Sequence, residues 1–101
     1  MSVVVIARFK VGDMGRAKQA IAANEGIGEE ISQYAKTVGA HHHRFLEQDG
    51  DLVALDEWES AEAFQQFFQS NTLIPKVMED AGIQGDPKIE VLQPVEAPGT
   101  F

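Results

Sequence analysis

The stretch "HHHRFLEQDGDLVALDEW", from His41 to Trp58, predicts a β-hairpin and decides the fold. Two runs that suit β-strands flank Asp49-Gly50, and Asp-Gly in that position is a strong signal for a two-residue hairpin turn. With these two residues as the loop, Gln48 opposes Asp51, and every earlier residue has a defined partner. Side chains alternate along a strand, so the turn also predicts which residues share a face.

The segment before the hairpin predicts one strand and one helix. "VVVIARFKV" (Val3 to Val11) is rich in β-branched residues and apolar at nearly every position, which is typical of a strand covered on both faces. Apolar residues then recur at helical spacing from Met14 to Val38. Asp13 is a suitable N-cap and Gly39 a suitable C-terminal stop. Glycines at 26 and 28 predict a kink or looser turn within this helix.

The segment after the hairpin predicts a second helix and a last strand. Ser60 can cap a helix whose apolar side carries Phe64 and Phe67. Pro75 requires the helix to restart shortly before it, because proline fits only the first turn. We expect "GDP" at 85–87 to form a turn and "KIEVLQPV" at 88–95 to form the strand.

The resulting order is β-α-β-β-α-β, the ferredoxin-like arrangement of an α+β fold, in which an antiparallel sheet carries two helices on one face. We expect one domain at 1–95 and a C-terminal tail at 96–101. The opposite sheet face should be apolar and should bury itself against a second copy of the chain, which predicts a homodimer. Its expected apolar residues are Val4, Ile6, Leu46, Val53 and Leu55.

The amino-acid composition restricts the classes of partner that this chain can bind. The 101 residues include 8 Lys and Arg against 16 Asp and Glu, a formal net charge of −8. That charge disfavours nucleic acid and anionic membrane surfaces as partners. The sequence contains no cysteine, so thiol catalysis, disulfides and zinc–thiolate sites are excluded. The N-terminal apolar run is too short for a signal peptide or a membrane span, and we expect a cytoplasmic protein.

The segment "DEWESAEAFQQFFQS" resembles the dimeric α/β-barrel superfamily, in particular domains of the antibiotic-biosynthesis-monooxygenase (ABM) type. Trp58, Ser60, Phe64 and Ser70 match the step from the third strand into the second helix of that family. The resemblance implies a dimeric barrel with a pocket between sheet and helices. It is weakly specific for activity, since one superfamily hosts many chemistries.

Two characterised branches of the family differ from this chain at their functional positions. The cofactor-free anthrone oxygenase branch has Asn, Tyr and Arg where this chain has Ala54, Phe64 and Met78, and only Trp58 is retained. The heme-degrading branch has Asn, Trp and His where this chain has Ala7, Phe67 and Val77. The resemblance therefore implies neither known reaction, and no axial heme ligand is evident.

The hairpin register separates the three histidines. Counting back from the turn pairs His43 with Asp56, His42 with Glu57 and His41 with Trp58. We therefore expect His41 and His43 on the face that carries Asp56 and Trp58, and His42 on the other face. A slip of one residue would reverse every pairing.

Three interpretations of these residues stay open. His41, His43 and Asp56 could hold Zn²⁺ or non-heme iron. His43 and Asp56 could instead form an acid–base pair in which the carboxylate orients the ring. The third alternative is a solvated pair on an edge hairpin, which is a common arrangement.

We select a homodimeric small-molecule enzyme of the monooxygenase-like class as the leading hypothesis. The predicted catalytic residues are His43 and Asp56, and the predicted substrate-binding residues are His41, Trp58, Phe64 and Phe67. No flavin or nicotinamide cofactor is expected, since no Gly-rich phosphate loop exists, and no metal is assigned to the site. The substrate would be a small aromatic or enolisable compound, acted on by oxygenation or proton transfer. The alternative is a non-catalytic dimeric module for small-molecule binding or stability.

Overall fold

The computed structural model describes residues 2–101 and has an antiparallel sheet with helices on one face. Its elements, in chain order, are β1 (Val3–Val11), α1 (Met14–Ala23), α2 (Glu25–Thr37), β2 (Ala40–Gln48), β3 (Asp51–Trp58), α3 (Ala61–Ser70), α4 (Ile74–Asp80) and β4 (Ile83–Leu92). This is the predicted ferredoxin-like α+β fold, with each of the two expected helices divided in two. Among the described residues, no helix is both long and apolar enough to cross a membrane.

The sheet order is β2-β3-β1-β4, and all neighbours are antiparallel. The β2–β3 hairpin turns at Asp49 and Gly50, whose φ angles of 49° and 84° are both positive, as a type I′ turn requires. Gln48 opposes Asp51, and the pairing runs unbroken back to His42 opposite Glu57. The register predicted from the turn is therefore confirmed over seven consecutive residue pairs.

The predicted pairing of His41 with Trp58 is wrong. Between Ala40 and His42 the register shifts, so that Ala40 is the partner of Trp58 and His41 is the extra residue of a β-bulge. Ala40 packs against the core cluster that contains Trp58. The bulge thus lets a small apolar residue, instead of a histidine, take the partly buried position beside the indole.

The last strand begins earlier than the sequence pattern predicts. β4 starts at Ile83 instead of Lys88, and it ends at Leu92. Lys10 pairs with Gln84 but Arg8 pairs with Lys88, so the residues between them form a bulge. The bulge contains Pro87, which an edge strand tolerates because one of its sides is unpaired. The expected turn at 85–87 is therefore an irregularity within one strand.

Both helical segments break at an asparagine. Asn24 ends α1 and precedes α2, two residues before the first of the glycines that predicted a kink. Asn71 ends α3, and its Oδ1 accepts hydrogen bonds from the backbone N–H groups of Leu73 and Ile74 at 2.9 and 3.2 Å. Pro75 then lies in the first turn of α4, where the missing N–H costs nothing.

Polar contacts join and cap these helices. Asp13 accepts a hydrogen bond from the Arg16 backbone N–H, and Ser60 accepts one from the Ala63 N–H, so both predicted N-caps are confirmed. Asp80 connects α4 with Asn24. The pKa of the Asp80 carboxyl lies below its usual value of 3.8. The largest cause is the hydrogen bond from the Lys76 ammonium, and the next is the hydrogen bond from the Asn24 amide.

The two faces of the sheet differ in burial. The helix-facing side holds two buried clusters: Val3, Val5, Trp58, Phe64 and Phe67, and Ala7, Phe9, Leu52 and Ala54. On the outer side, Val53 is buried, three of the predicted apolar residues are half-buried and Leu46 is 38% exposed. Three phenylalanines, Phe9, Phe64 and Phe67, are buried on the helix-facing side. Because burying one phenylalanine side chain stabilises a fold by about 1.5–3 kcal/mol, this side contributes most of the stabilising burial.

Two glycines provide a matched test of this backbone. Gly39 precedes β2 with φ of +118°, and a Cβ there would lie 2.8 Å from the Glu59 side chain. Gly39→Ala should lower the free energy of unfolding by about 1–3 kcal/mol, because an L-residue is strained in that conformation. Gly28→Ala, within α2 and with no neighbouring atom within 4 Å of its Cβ, should raise it by up to about 1 kcal/mol. Urea unfolding measures both, and a Gly39→Ala variant as stable as the wild type would contradict this account.

Candidate active site

A hydrogen-bonded pair lies on the helix-facing side of the hairpin. His43 Nδ1 is 2.6 Å from Asp56 Oδ1, and the two residues are direct cross-strand neighbours. The Asp56 side chain is only 12% exposed, whereas that of His43 is 42% exposed. A carboxylate has no hydrogen to donate, so the contact requires a hydrogen on Nδ1. The other ring nitrogen, Nε2, is then left with its lone pair on a half-exposed ring.

Trp58 holds the second oxygen of the same carboxylate. Its indole Nε1–H donates to Asp56 Oδ2 at 3.2 Å, two residues along β3 on the same face. Trp58 is 1% exposed, so this hydrogen bond satisfies an indole N–H that bulk water does not reach. Asp56 therefore connects a buried indole to a half-exposed imidazole, and each of its oxygens has one partner.

An aromatic ring that the sequence analysis did not single out lies beside His43. Phe45 is two residues along β2, on the same face, and its ring centroid is 4.8 Å from that of His43 in an edge-to-face arrangement. Phe45 is 44% exposed although it faces the helical layer, so the helices leave this part of β2 uncovered. The i, i+2 spacing from His43 is the signal that could have identified it.

His41 and His42 lie apart from the pair. His42 is the cross-strand partner of Glu57, and His41 Nδ1 is 3.5 Å from Glu57 Oε1 and 3.2 Å from Ser2 Oγ. Glu57 alternates with Asp56 and Trp58 along β3, so these contacts are on the outer side of the sheet. The expectation that His41 shares a face with His43 is wrong, because the bulge reverses its direction.

The structure does not assemble the metal-ligand set that the sequence left open. His41 is on the opposite side of the sheet from His43 and Asp56. Within residues 2–101, no three His, Asp or Glu side chains converge in an arrangement that could hold a metal ion.

Trp58, Phe64 and Phe67 form a packed aromatic group. The ring centroids of Phe64 and Phe67 lie 5.6 and 5.0 Å from that of Trp58, and all three residues are buried. Phe67 also lines a surface groove of about 660 Å³ between α2 and α3, together with Tyr34, Val38, Ser60, Ala63 and Gln66. The substrate-binding role predicted for these aromatic residues stays a prediction.

Comparisons with known proteins bear on the fold. No protein-family model and no curated protein matches the chain. Among solved structures, it is similar to a monooxygenase from the gene ActVA-Orf6 of Streptomyces coelicolor, solved with the ligand nanaomycin D (TM-score 0.68, 18% identity, 99% of this chain and 93% of that chain). It is also similar to SnoaB, a cofactor-independent oxygenase from Streptomyces nogalater (0.62, 16%, 98% and 98%). A third is a dimeric ferredoxin-like protein from an uncultured marine organism (0.68, 10%, 95% and 90%).

The chain has the fold of the antibiotic biosynthesis monooxygenases. The ABM-like fold that the motif around Trp58 implied is thereby confirmed. Sequence identities of 10–18% show the fold and do not assign a reaction. Within the ABM-like fold, the reaction must be argued from the side chains of this chain.

Trp58 is the only tryptophan, so its fluorescence reports on the pair. His43 contacts the carboxylate that accepts the indole N–H, so its removal changes the polar surroundings of Trp58. His43→Ala should therefore shift the wavelength or intensity of Trp58 emission, whereas His42→Ala, on the other side of the sheet, should leave the emission close to that of the wild type. A change in His42→Ala together with none in His43→Ala would contradict the register.

Proposed function

We propose that this chain is a cytoplasmic small-molecule enzyme with the ABM-like fold, in which His43 and Asp56 transfer protons without flavin or nicotinamide. The observation that carries the proposal is the 2.6 Å contact between His43 Nδ1 and a mostly sheltered carboxylate. That contact directs the free Nε2 lone pair outward, as a general base requires. A carboxylate that orients a histidine in this way is a recurrent arrangement in acid–base catalysis.

The reaction begins with proton transfer to His43. Nε2 removes a proton from an activated C–H or a phenolic O–H of the substrate, which leaves an enolate or phenolate and an imidazolium. Asp56 carries the opposite charge next to that imidazolium and therefore stabilises it. Returning the proton to a different atom of the substrate completes an isomerisation. If the carbanion formed at a methylene instead adds to dissolved O₂, a C–O bond forms and the peroxide takes the proton from the imidazolium. Loss of the remaining hydrogen on that carbon and cleavage of the O–O bond then release water and leave a carbonyl group, with O₂ as the oxidant.

A small aromatic or enolisable compound is the substrate class that fits these surroundings. The exposed Phe45 ring beside His43 offers an aromatic surface for a flat ligand. The packed rings of Trp58, Phe64 and Phe67 make the adjacent interior apolar and rigid. A planar ligand that contacts Phe45 would place an acidic hydrogen within reach of the half-exposed imidazole.

The alternative function is a non-catalytic binding module, and one observation favours it. Trp58 and Phe64 are 1% and 4% exposed, as ordinary core residues are, so the aromatic residues matched to the family motif do not by themselves form a pocket. In that case the α2–α3 groove lined by Phe67 is a concave surface that could hold a ligand.

We also propose that the protein is a homodimer through the outer face of the sheet. The centre of that face is apolar and remains partly accessible to solvent, which favours its burial against a second copy of the chain. Its residues are Val4, Ile6 and Leu55, which are half-buried, and Leu46, which is 38% exposed. Arg8 lies near the centre of this face. Its Nη1 donates a hydrogen bond to Gln48 Oε1 at 2.7 Å, and its Nε is 3.9 Å from Glu90 Oε1. The guanidinium charge is therefore partly compensated within one protomer.

Leu55→Lys tests the dimer. An unpaired ammonium buried between two sheets should dissociate the dimer or unfold the chain. Sedimentation of the wild type at micromolar concentration should give twice 11.1 kDa, and the variant should give a monomer or unfolded chain. Gln19→Lys adds the same charge on an exposed position of α1 and should leave the dimer intact. A well-folded wild-type monomer at that concentration would rule out the dimer.

Proton transfer is tested with anthrone as a probe that has an acidic methylene. Exchange of that methylene into D₂O, followed by NMR, and O₂ uptake measure the two outcomes of deprotonation. His43→Ala should slow enzyme-dependent exchange by about 10²–10⁴-fold, the usual contribution of a general base. His42→Ala is the matched control and should retain the wild-type rate.

Saturable quenching of Trp58 by small phenols and quinones shows whether a ligand binds at all. Binding without exchange or O₂ uptake would favour the binding module. Exchange that persists in His43→Ala would show that a different group is the base.

A further inference from the structure

We propose that the indole N–H of Trp58 is a positioning group that fixes the Asp56 carboxylate and, through it, the tautomer and direction of the His43 ring. The inference rests on the proposed function for its catalytic meaning, but its structural content can be tested without any substrate. It gives Trp58 a role other than that of a pocket wall.

The Trp58 N–H needs a hydrogen-bond acceptor. The residue is 1% exposed, and a buried N–H without an acceptor is costly. Its acceptor is Asp56 Oδ2 at 3.2 Å, and none of the buried side-chain nitrogens and oxygens among residues 2–101 is left without a hydrogen bond. Moving the carboxylate away from the indole would therefore leave this N–H unsatisfied in the core.

Two hydrogen bonds restrain the Asp56 carboxylate more than one does. His43 alone would hold Oδ1 and allow the group to turn about its Cβ–Cγ bond. With Oδ2 also held by Trp58, the plane of the carboxylate is set by both strands. Oδ1 then presents its lone pair to Nδ1 at 2.6 Å, which selects the tautomer with hydrogen on Nδ1 and frees Nε2.

The Trp58 indole is itself held in place by neighbouring rings. Phe64 meets the Trp58 ring edge-on at an interplanar angle of 71°, and Phe67 is tilted against it at 44°, with both rings supplied by α3. The indole therefore cannot swing away without breaking the core that holds the helix to the sheet. In an ordinary solvated pair on an edge hairpin, both side chains would rotate freely, and no such restraint would exist.

The test is the tautomer of His43, measured by ¹⁵N–¹H NMR of the imidazole rings in the intact protein at a pH where the rings are neutral. The wild type should show mainly the Nδ1–H form at His43, although free histidine favours Nε2–H. Trp58→Phe keeps an aromatic ring and removes the N–H. The ratio of Nδ1–H to Nε2–H should then fall about fivefold, the effect of losing one hydrogen bond of ordinary strength.

Two further substitutions separate the hydrogen bond from packing. Replacing Trp58 with its benzothienyl isostere, which has the same shape and no N–H, should reproduce the tautomer ratio of Trp58→Phe. Phe64→Leu loosens the packing on the indole but keeps the N–H, so it should lower stability and shift the tautomer ratio much less than Trp58→Phe does.

A folded isostere variant with the wild-type tautomer ratio would overturn the proposal, as would a Phe64→Leu variant that shifts the ratio as far as Trp58→Phe. The NMR measurement needs no substrate. Its result therefore stands even if the protein does not exchange the anthrone protons. Conversely, a wild-type rate in Trp58→Phe together with a shifted tautomer would leave proton transfer standing and reject the catalytic importance of the positioning.

Discussion

The two-residue turn at Asp49 and Gly50 is the constraint on which the rest of the site depends. Positive φ at both positions closes the hairpin without a longer loop, and this closure fixes the register of β2 against β3. Because side chains alternate, a one-residue slip would exchange His43 for His42 opposite Asp56 and turn the imidazole out of the helical layer. The His43–Asp56 pair therefore depends on a turn that begins at Asp49, seven residues before Asp56 in the sequence. The turn itself contains none of the proposed catalytic residues.

Most of the fold follows from local sequence signals, and the misses have a common physical cause. Caps at Asp13 and Ser60, the hairpin at Asp49-Gly50 and the helix break before Pro75 are decided by short-range chemistry, which one sequence reveals. The bulge at His41 and the continuation of β4 through residues 85–87 depend on pairing with strands that are distant in the sequence. At His41, the partner of Trp58 is Ala40, and nothing in a run of three histidines indicates that pairing.

The site shows the same division. His43 opposite Asp56 was predictable, since it needs only the turn and the alternation of side chains. The hydrogen bond from Trp58 to Asp56 depends on how two rings of α3 orient the indole, which spacing along β3 does not specify. Structural neighbours with the ABM-like fold, including a cofactor-independent oxygenase, share the scaffold at identities too low to carry a reaction across. The chemistry argued for this chain rests on its own His–Asp–Trp arrangement.

The outward direction of His41 and His42 has a consequence for solubility. β2 is an edge strand, exposed along nearly its whole length, and an unpaired edge is a template on which a second chain can add as an extra strand. The three histidines and Arg44 place bulky, hydrated side chains along this edge. A second chain that added there as a strand would have to remove water from them, which disfavours aggregation at this edge.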